Sequence, residues 1–227
     1  MGSTTRGELH RIAAHVLGRR RYAVSGHFGL RASPGGISTP AFGPEPETLR
    51  LTPLCLVREV GAESQGLALA GATLSSLAAF GGADLDDGFS AGGDMPAVGA
   101  AGEPLSLDAK ELAGLFSWFD LGWRVLDEVM AERTGSCVSS TIQLWPEHFD
   151  VGTSLELGSG DGVNLGFSPG DGFSDEAYLY VGPWGSARPG PSRYWNAPFG
   201  AVLTRSQVHD GDDCAAFIRA GLDRLGS

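Results

Sequence analysis

The feature that most constrains the fold is a long amphipathic helix pattern in the middle of the chain. Between Ser106 and Met130, large apolar residues recur every three or four positions, which is the spacing of one helix face. Strand-like segments are bunched on both sides of this pattern and do not alternate with further helices. This order predicts an α+β fold with an antiparallel sheet and disfavours a Rossmann-like parallel sheet. The stripe consists of Leu112, Leu115, Phe116, Phe119, Trp123, Leu126 and Met130.

Two shorter helices are predicted at the termini. Residues 9–17 carry apolar side chains at helical spacing, with His10 and His15 expected on the surface, and Asp212 or Asp213 is expected to cap a final helix that reaches Leu225. The strands between the helices are expected to form one curled, barrel-like sheet around an apolar pocket, in a single domain over residues 1–227. The predicted strands are 22–31, 37–42, 49–60, 142–157, 163–167, 176–184 and 201–204.

Charge and composition exclude several classes of partner. The chain has 227 residues and a net charge of −11, which disfavours nucleic acid and anionic membrane surfaces, since both attract basic patches. No apolar run approaches the length of a membrane span, and the N-terminus lacks a signal-peptide pattern. Three cysteines, Cys55, Cys137 and Cys214, have no CxxC spacing. An odd number of unpaired thiols favours a cytoplasmic location.

Residues 81–104 are rich in Gly, Ala and Asp and poor in large apolar residues. A segment of this length without predicted structure is typical of a functional loop, so a loop or lid is expected here. Asp84, Asp86, Asp87 and Asp94 suggest calcium, but Met95 stands where an EF-hand requires a glutamate. The pattern therefore favours a solvated acidic loop.

The candidate site lies in the stretch 144–184, where ionisable and aromatic residues concentrate. Glu147, His148 and Glu176 are the candidate acid–base residues, because burial would bring a carboxyl pKa towards neutrality, where proton transfer is efficient. Alternation over the predicted strands places Tyr178 and Tyr180 on the face opposite the core, with His148 and Asp150 side by side on another strand. The candidate ligand-binding residues are Trp145, Asp150, Asn164, Asp171, Tyr178, Tyr180, Trp195 and Asn196.

One catalytic motif is present only as a string of letters. The residues 166–170 read Gly-Phe-Ser-Pro-Gly and match the nucleophile elbow of α/β-hydrolases. The oxyanion hole of that elbow uses the backbone N–H of the residue after the serine. Here that residue is Pro169, which has no N–H, so the match is rejected.

Three functions stay open from sequence, with no cofactor indicated. The leading prediction is a small-molecule-binding protein with an aromatic- and carboxylate-lined pocket and acid–base chemistry on the ligand. The main alternative is a non-catalytic accessory protein or homo-oligomer that uses the Tyr/Trp face as an interface. A mononuclear metal enzyme is the third, with His148, Asp150 and one or two further carboxylates as ligands for manganese, iron or zinc. Structural roles compete at each position, such as Asp171 holding its own turn.

Several motifs resemble known families. The sequences Leu-Trp-Pro-Glu-His-Phe-Asp (144–150), Ser-Pro-Gly-Asp (168–171) and Tyr-Leu-Tyr-Val-Gly-Pro-Trp (178–184) are similar to an uncharacterised actinobacterial-type protein family. Residues 29–36, 39–43 and 195–200 extend this resemblance over most of the chain. A looser similarity, on the aromatic-x-x-Phe-Asp strand alone, is to DUF5996-type proteins. Neither resemblance implies an activity.

Overall fold

The computed structural model describes residues 4–86, 88–133, 138–157 and 161–226. Within the chain there are two compact units. Unit 1 is Met1–Asp120 with Leu144–Phe149, and unit 2 is Leu121–Gln143 with Asp150–Ser227. Four features considered from sequence lie outside the described residues, namely Asp87, Cys137, a helix end at Gly135 and most of a glycine-rich turn at 158–162.

Unit 1 begins with a helix that is longer than the sequence pattern predicts. Helix α1 (Thr4–Ile12) continues through a π-helical segment, Ala13–Gly18, into α2 (Arg19–Ser25). It ends at Gly26, which has a left-handed φ of 72°. Glycine adopts this conformation without strain because it has no Cβ. The predicted strand over 22–31 is therefore wrong, because helical hydrogen bonding continues as far as the first residue that can reverse the backbone.

The strands of unit 1 form an antiparallel meander in chain order. The predicted strand 49–60 is in fact two strands, since the chain turns between Leu51 and Cys55. A short helix follows, which the sequence predicts over residues 73–80, and Thr73 and Ser76 cap it reciprocally. These elements are β1 (Arg31–Ser33), β2 (Gly36–Ser38), β3 (Glu47–Leu51), β4 (Cys55–Val60), β5 (Glu63–Ala68) and α3 (Leu74–Gly81).

A second antiparallel sheet belongs to unit 2, with the strand order β11-β10-β9-β8-β6. The expected barrel-like sheet is not found: the strands are divided between two sheets, and in neither do the described strands close into the ring that a barrel requires. The remaining strands are β6 (Val138–Ser139), β7 (Gln143–Trp145), β8 (Asp150–Glu156), β9 (Gly162–Ser168), β10 (Tyr178–Pro183) and β11 (Ala201–Thr204).

The predicted long helix and C-terminal helix are confirmed as α4 (Ala109–Ala131) and α5 (Gly211–Leu225). The sequence predicts a cap at Ser106 for α4 and at Asp212 or Asp213 for α5, and the observed caps differ. Asp108 accepts a hydrogen bond from Glu111 N at 2.8 Å, and Asp210 accepts one from Asp213 N at 3.1 Å. The fold is thus α+β with antiparallel sheets, one long helix and terminal helices. No helix in the described part of the chain is both long and apolar enough to cross a membrane.

Helices cover one face of the second sheet. Phe167 lies against Gly122 of α4, where an added Cβ would be 2.6 Å from the Phe167 ring. Val181 likewise lies 2.9 Å from a Cβ built on Gly221 of α5. Most strand residues on this face are buried and apolar, with Thr153 as a buried polar exception, and the alternate residues form the opposite face. The buried set includes Val151, Leu155, Val163, Leu165, Phe167, Leu179 and Val181.

Candidate functional site

The opposite face of the unit 2 sheet carries Asp150, Tyr178 and Tyr180, three of the eight predicted ligand-binding residues. Strand alternation brings together Asp150 and Gly152 of β8, Gly166 and Ser168 of β9, and Tyr178 and Tyr180 of β10. This set is called the tyrosine face below. The prediction that the two tyrosines point away from the core strand residues agrees with this alternation. Gly152 pairs with Gly166, and Gly166 pairs with Tyr180, so these three residues form one row across the sheet.

The ring of Tyr180 lies against Gly166, and its hydroxyl reaches Gly152 in the same row. A Cβ added to Gly166 would be 2.5 Å from the Tyr180 hydroxyl oxygen, and one added to Gly152 would be 3.5 Å from it. Because the glycines leave this space empty, the hydroxyl reaches across the sheet and donates to Asp150 Oδ2 at 2.5 Å. Burial and the Asp150 charge raise the pKa of Tyr180 well above 10, so its hydroxyl remains a donor. Asp150 itself is only 8% exposed.

Tyr178 makes the matching contact with a second carboxylate. Its hydroxyl donates to Asp171 Oδ2 at 2.5 Å, and Ser168 Oγ donates to the same oxygen at 3.1 Å. Burial and Asp171 raise the pKa of Tyr178, which also stays protonated. The other Asp171 oxygen accepts from Phe173 N at 2.8 Å and from Ser174 N at 3.3 Å. Asp171 therefore holds the turn, as a structural reading of the sequence allowed, and also orients Tyr178.

Two phenylalanines that the sequence analysis did not include complete the aromatic lining. Phe173 contacts Tyr178 with a centroid distance of 5.5 Å, and Phe199 contacts Tyr180 at 6.3 Å. Their side chains are 49% and 37% exposed. The Asp-Gly pair before Phe173 is a local sign of a tight turn that returns the chain to the sheet. Phe199 lies between Pro198 and Gly200, which are likewise residues typical of a turn.

Three other predicted ligand-binding residues hold local structure. Asn164 accepts from Trp184 Nε1 at 2.7 Å, and Trp195 Nε1 donates to Pro189 O at 2.8 Å. Asn196 donates to Val202 O at 2.9 Å and accepts from Val202 N at 2.8 Å. Its amide thus completes the backbone pairing of β11, which is an edge strand.

Glu176 is an exposed residue of unit 2. Its Oε1 accepts from Ser206 N at 2.5 Å, at the start of the short 3₁₀ turn Arg205–Gln207. The acid–base role predicted for Glu176 required burial of its carboxylate away from water, and the exposed position of Glu176 does not provide that burial.

The predicted strand 142–157 is interrupted by a turn at 146–149, in unit 1. Phe149 has a φ of 59°, an uncommon conformation for a residue with a side chain, and its N–H donates to Trp145 O at 2.7 Å. Glu147 is only 6% exposed, whereas His148 is exposed. The turn removes the strand alternation that was expected to project His148 and Asp150 side by side. Trp145 packs edge-on against Phe28, with centroids 6.4 Å apart.

Histidines gather around this turn in unit 1. His10 stacks on the Phe149 ring at 4.6 Å, and its Nε2 lies 2.8 Å from Pro146 O. Burial lowers the pKa of His10 to about 4, so the ring is neutral at neutral pH and Nε2–H is the donor to the carbonyl. His148 Nδ1 lies 3.1 Å from Asp94 Oδ2. The expected surface position of His15 is wrong, because this residue is 2% exposed.

The segment 81–104, predicted as a loop or lid, is tied to the first helix of unit 1 through its own carbonyl groups. His15 Nε2 lies 2.6 Å from Pro96 O, Arg11 Nη2 donates to Val98 O at 2.5 Å, and Arg19 Nη1 donates to Asp84 O at 3.0 Å. These three side chains are four residues apart along the helix and so lie on one face. Gly92 approaches Glu147 closely, since an added Cβ would be 3.7 Å from Glu147 Cγ.

Two further features bear on binding. In the described ranges, no group of three or more His, Cys, Asp and Glu side chains is placed to hold a metal ion. An open depression of about 380 Å³ lies in unit 1 between Pro46 and Ser64, away from every predicted site residue in sequence. No protein-family model, curated protein or solved structure matches this chain. The site is therefore interpreted from its own residues.

Proposed function

We propose that the protein binds a small molecule on the tyrosine face of unit 2. The observation that carries this proposal is the Tyr180–Asp150 pair, in which an aromatic ring lies across two glycines to reach a carboxylate that is 8% exposed. Ligand sites combine a mostly apolar and aromatic lining with a few polar groups held in fixed positions. Here the fixed polar groups are Asp150 and the hydroxyls of Tyr178 and Tyr180.

Exposure rises from the base of this site to its rim, which supports binding from solvent. Tyr178 is 4% exposed, whereas the neighbouring Phe173 and Phe199 are 49% and 37% exposed. The rings of the two phenylalanines are held by turns, so little conformational entropy is lost when a ligand packs against them. The proposed site lies on an open sheet and does not require a curled one.

A thermal-shift screen of metabolites tests the proposal. A compound at 100 times its dissociation constant stabilises the native chain by about 2.7 kcal/mol. We expect at least one compound to raise the melting temperature of the wild type and to lose that effect in Tyr180→Phe. The matched control is Tyr194→Phe, which removes a hydroxyl that donates to Phe217 O at 2.8 Å, on α5 of the same unit. A compound that loses its effect equally in both variants would contradict the proposed location.

The competing hypothesis is that the same face forms a protein interface. It is favoured by the exposed side chains of Phe173, Phe199 and Trp184. It predicts concentration-dependent association of the wild type that Phe173→Ser abolishes, with no metabolite response. Sedimentation of the pure chain at several concentrations separates the two readings. A location in the cytoplasm, proposed from composition, is tested by cell fractionation.

A second candidate function, acid–base chemistry, is favoured by the burial of Glu147 in unit 1. Its turn contains the strained Phe149, and strained residues cluster at active sites. His10 beside this turn is neutral and donates Nε2–H to Pro146 O, so Nδ1 is its ring nitrogen with a lone pair for a proton. We expect the ligands of such a site to lose their thermal shift in Glu147→Gln and to keep it in Tyr180→Phe.

A further inference from the structure

Four aromatic rings on unit 2 contact one another in a closed cycle. Phe173 lies 5.5 Å from Tyr178 and 5.0 Å from Phe199, measured between ring centroids. Tyr180 lies 6.3 Å from Tyr178 and 6.3 Å from Phe199. These residues, called the four-ring cluster, come from β10 and from two turns that flank it. Each ring therefore contacts two others of the cluster.

The rings are steeply inclined to their neighbours. Interplanar angles are 70° for Phe173 and Tyr178, 75° for Phe173 and Phe199, and 88° for Tyr180 and Phe199. In such edge-to-face pairs, a positive ring edge meets a negative ring face. Exposed aromatic surface attracts ammonium cations, and Phe173 and Phe199, which are 49% and 37% exposed, present such surface to solvent.

Two carboxylates accept hydrogen bonds from the tyrosine hydroxyls of the cluster and bring negative charge to it. Asp150 accepts from the Tyr180 hydroxyl, and Asp171 accepts from the Tyr178 hydroxyl, each at 2.5 Å. A hydroxyl that donates to a carboxylate is polarised, which enriches its ring in electron density. Both carboxylates also act on the tyrosines through space and raise their pKa values.

Arg188 lies beside Phe199 and contacts backbone oxygens and the Trp195 ring. Arg188 Nη2 donates to the backbone oxygen of Phe199 at 3.1 Å. Its guanidinium lies 5.7 Å from the ring centroid of Trp195, and Nη1 donates to Gly185 O and Ala187 O, both at 2.8 Å. Arg188 therefore occupies the outer loop and fixes the backbone that carries Phe199.

We propose that the four-ring cluster binds an organic ammonium ion, with a methylated nitrogen over the exposed rings of Phe173 and Phe199. This inference rests on the proposed function and names its ligand class. The ring faces supply the cation–π attraction, and Asp150 and Asp171 supply the negative charge behind them. The ligand is either a free ammonium compound or a methylated lysine side chain, since both present the same chemistry.

The test compares choline with its uncharged carbon isostere, in which a tert-butyl group replaces the trimethylammonium group. Both are titrated into the full wild-type chain, and NMR follows the ring protons of the four residues. We expect choline to bind about two to five times more tightly than the isostere, a difference of about 0.5–1 kcal/mol, because the rings are exposed. An acetylated trimethyllysine amide, titrated in parallel, binds more tightly than choline if the natural ligand is a protein side chain.

Three variants locate the interaction. Phe199→Leu keeps an apolar side chain but removes a ring, and we expect it to weaken choline binding at least about threefold. Trp184→Leu removes a half-exposed ring outside the four-ring cluster and should leave the affinity unchanged. Asp212→Asn removes one negative charge at an exposed position on α5 and should also leave the choline affinity unchanged, because the net charge of the chain alone does not create the site.

The outcomes separate this inference from the proposed function. Equal affinity for choline and the isostere, with both shifting the four rings, refutes the ammonium class and leaves small-molecule binding intact. Absence of any ring shift with choline and trimethyllysine also refutes the ammonium class. If the metabolite screen then also yields no compound that shifts these rings, the proposed function fails as well. The wild-type comparison decides the first two results, so neither depends on the folding of a variant.

Discussion

Replacing Gly166 by alanine is the sharpest perturbation of the tyrosine face. An added Cβ would lie 2.5 Å from the Tyr180 hydroxyl oxygen, 2.6 Å from Cζ and 2.7 Å from Cε1. Heavy atoms do not approach this closely, so the ring must leave its place. Rotation of the tyrosine relieves the clash. The free-energy cost of the substitution is therefore that of the interactions that Tyr180 loses when its ring moves.

That loss is chiefly the hydrogen bond from Tyr180 to Asp150. A hydrogen bond to a charged group contributes about 1.5–3 kcal/mol, and residual overpacking adds about 1 kcal/mol. We expect Gly166→Ala to destabilise unit 2 by about 3 kcal/mol. The control is Gly182→Ala on the adjacent strand, where the nearest atom to the added Cβ is 3.7 Å away. We expect its effect to lie within about 0.5 kcal/mol.

Amide hydrogen exchange of β9 and β10 is the appropriate assay, because it reports the opening of this sheet without reference to the rest of the chain. The decisive comparison repeats Gly166→Ala in a Tyr180→Ala background. Without the ring, the three atoms closest to the added Cβ are gone, so the cost of the glycine substitution should fall below about 1 kcal/mol. An equal cost in both backgrounds would refute the placement of Tyr180 over Gly166.

Three further predictions concern pH and packing. The folded-state pKa of His10, about 4, lies below its unfolded value of 6.5, so the unfolded chain gains a proton first as pH falls. The free energy of unfolding should therefore fall by up to about 3 kcal/mol as pH drops from 6.5 to 4. Urea unfolding of His10→Phe should show no such slope. Burial opposes ionisation of Glu47, but hydrogen bonds from Arg20 and Arg58 outweigh it and lower its pKa. Glu47→Gln should therefore cost about 2 kcal/mol above pH 4.5, and this difference should vanish as pH falls through the folded pKa. Gly200→Ala should lower the melting temperature strongly, at a cost of at least about 2 kcal/mol, because its Cβ would lie 2.0 Å from a backbone oxygen.

Local patterns were sufficient for the elements whose signal is local. The apolar stripe of α4 and the short helix α3 are set by neighbours in sequence, and both were predicted, although the cap at Thr73 was not. Alternation alone also placed Tyr178 and Tyr180 on the same face of β10. The helix over Arg19–Ser25 was missed because Tyr22 and Val24 alternate as in a strand, while the preceding helical turns override that preference.

The contacts that make the candidate site are not local. Asp150 and Tyr180 are 30 residues apart, and their contact depends on the pairing register of three strands. Sequence analysis named both residues but not the glycines beneath the ring, since a glycine in a strand is compatible with a bulge as well as with a close approach. The left-handed Phe149 is not encoded by its residue type, so the turn that separates Glu147 from the following strand was not predicted.

The most direct test of the account is an NMR fragment screen on the full chain, read at the side chains of Phe173, Tyr178, Tyr180 and Phe199. The account predicts that bound fragments shift these four residues together and that Tyr180→Phe weakens their binding. Fragments that bind while leaving these four side chains unshifted, with their largest shifts in unit 1, would contradict the central claim that the tyrosine face is the ligand site.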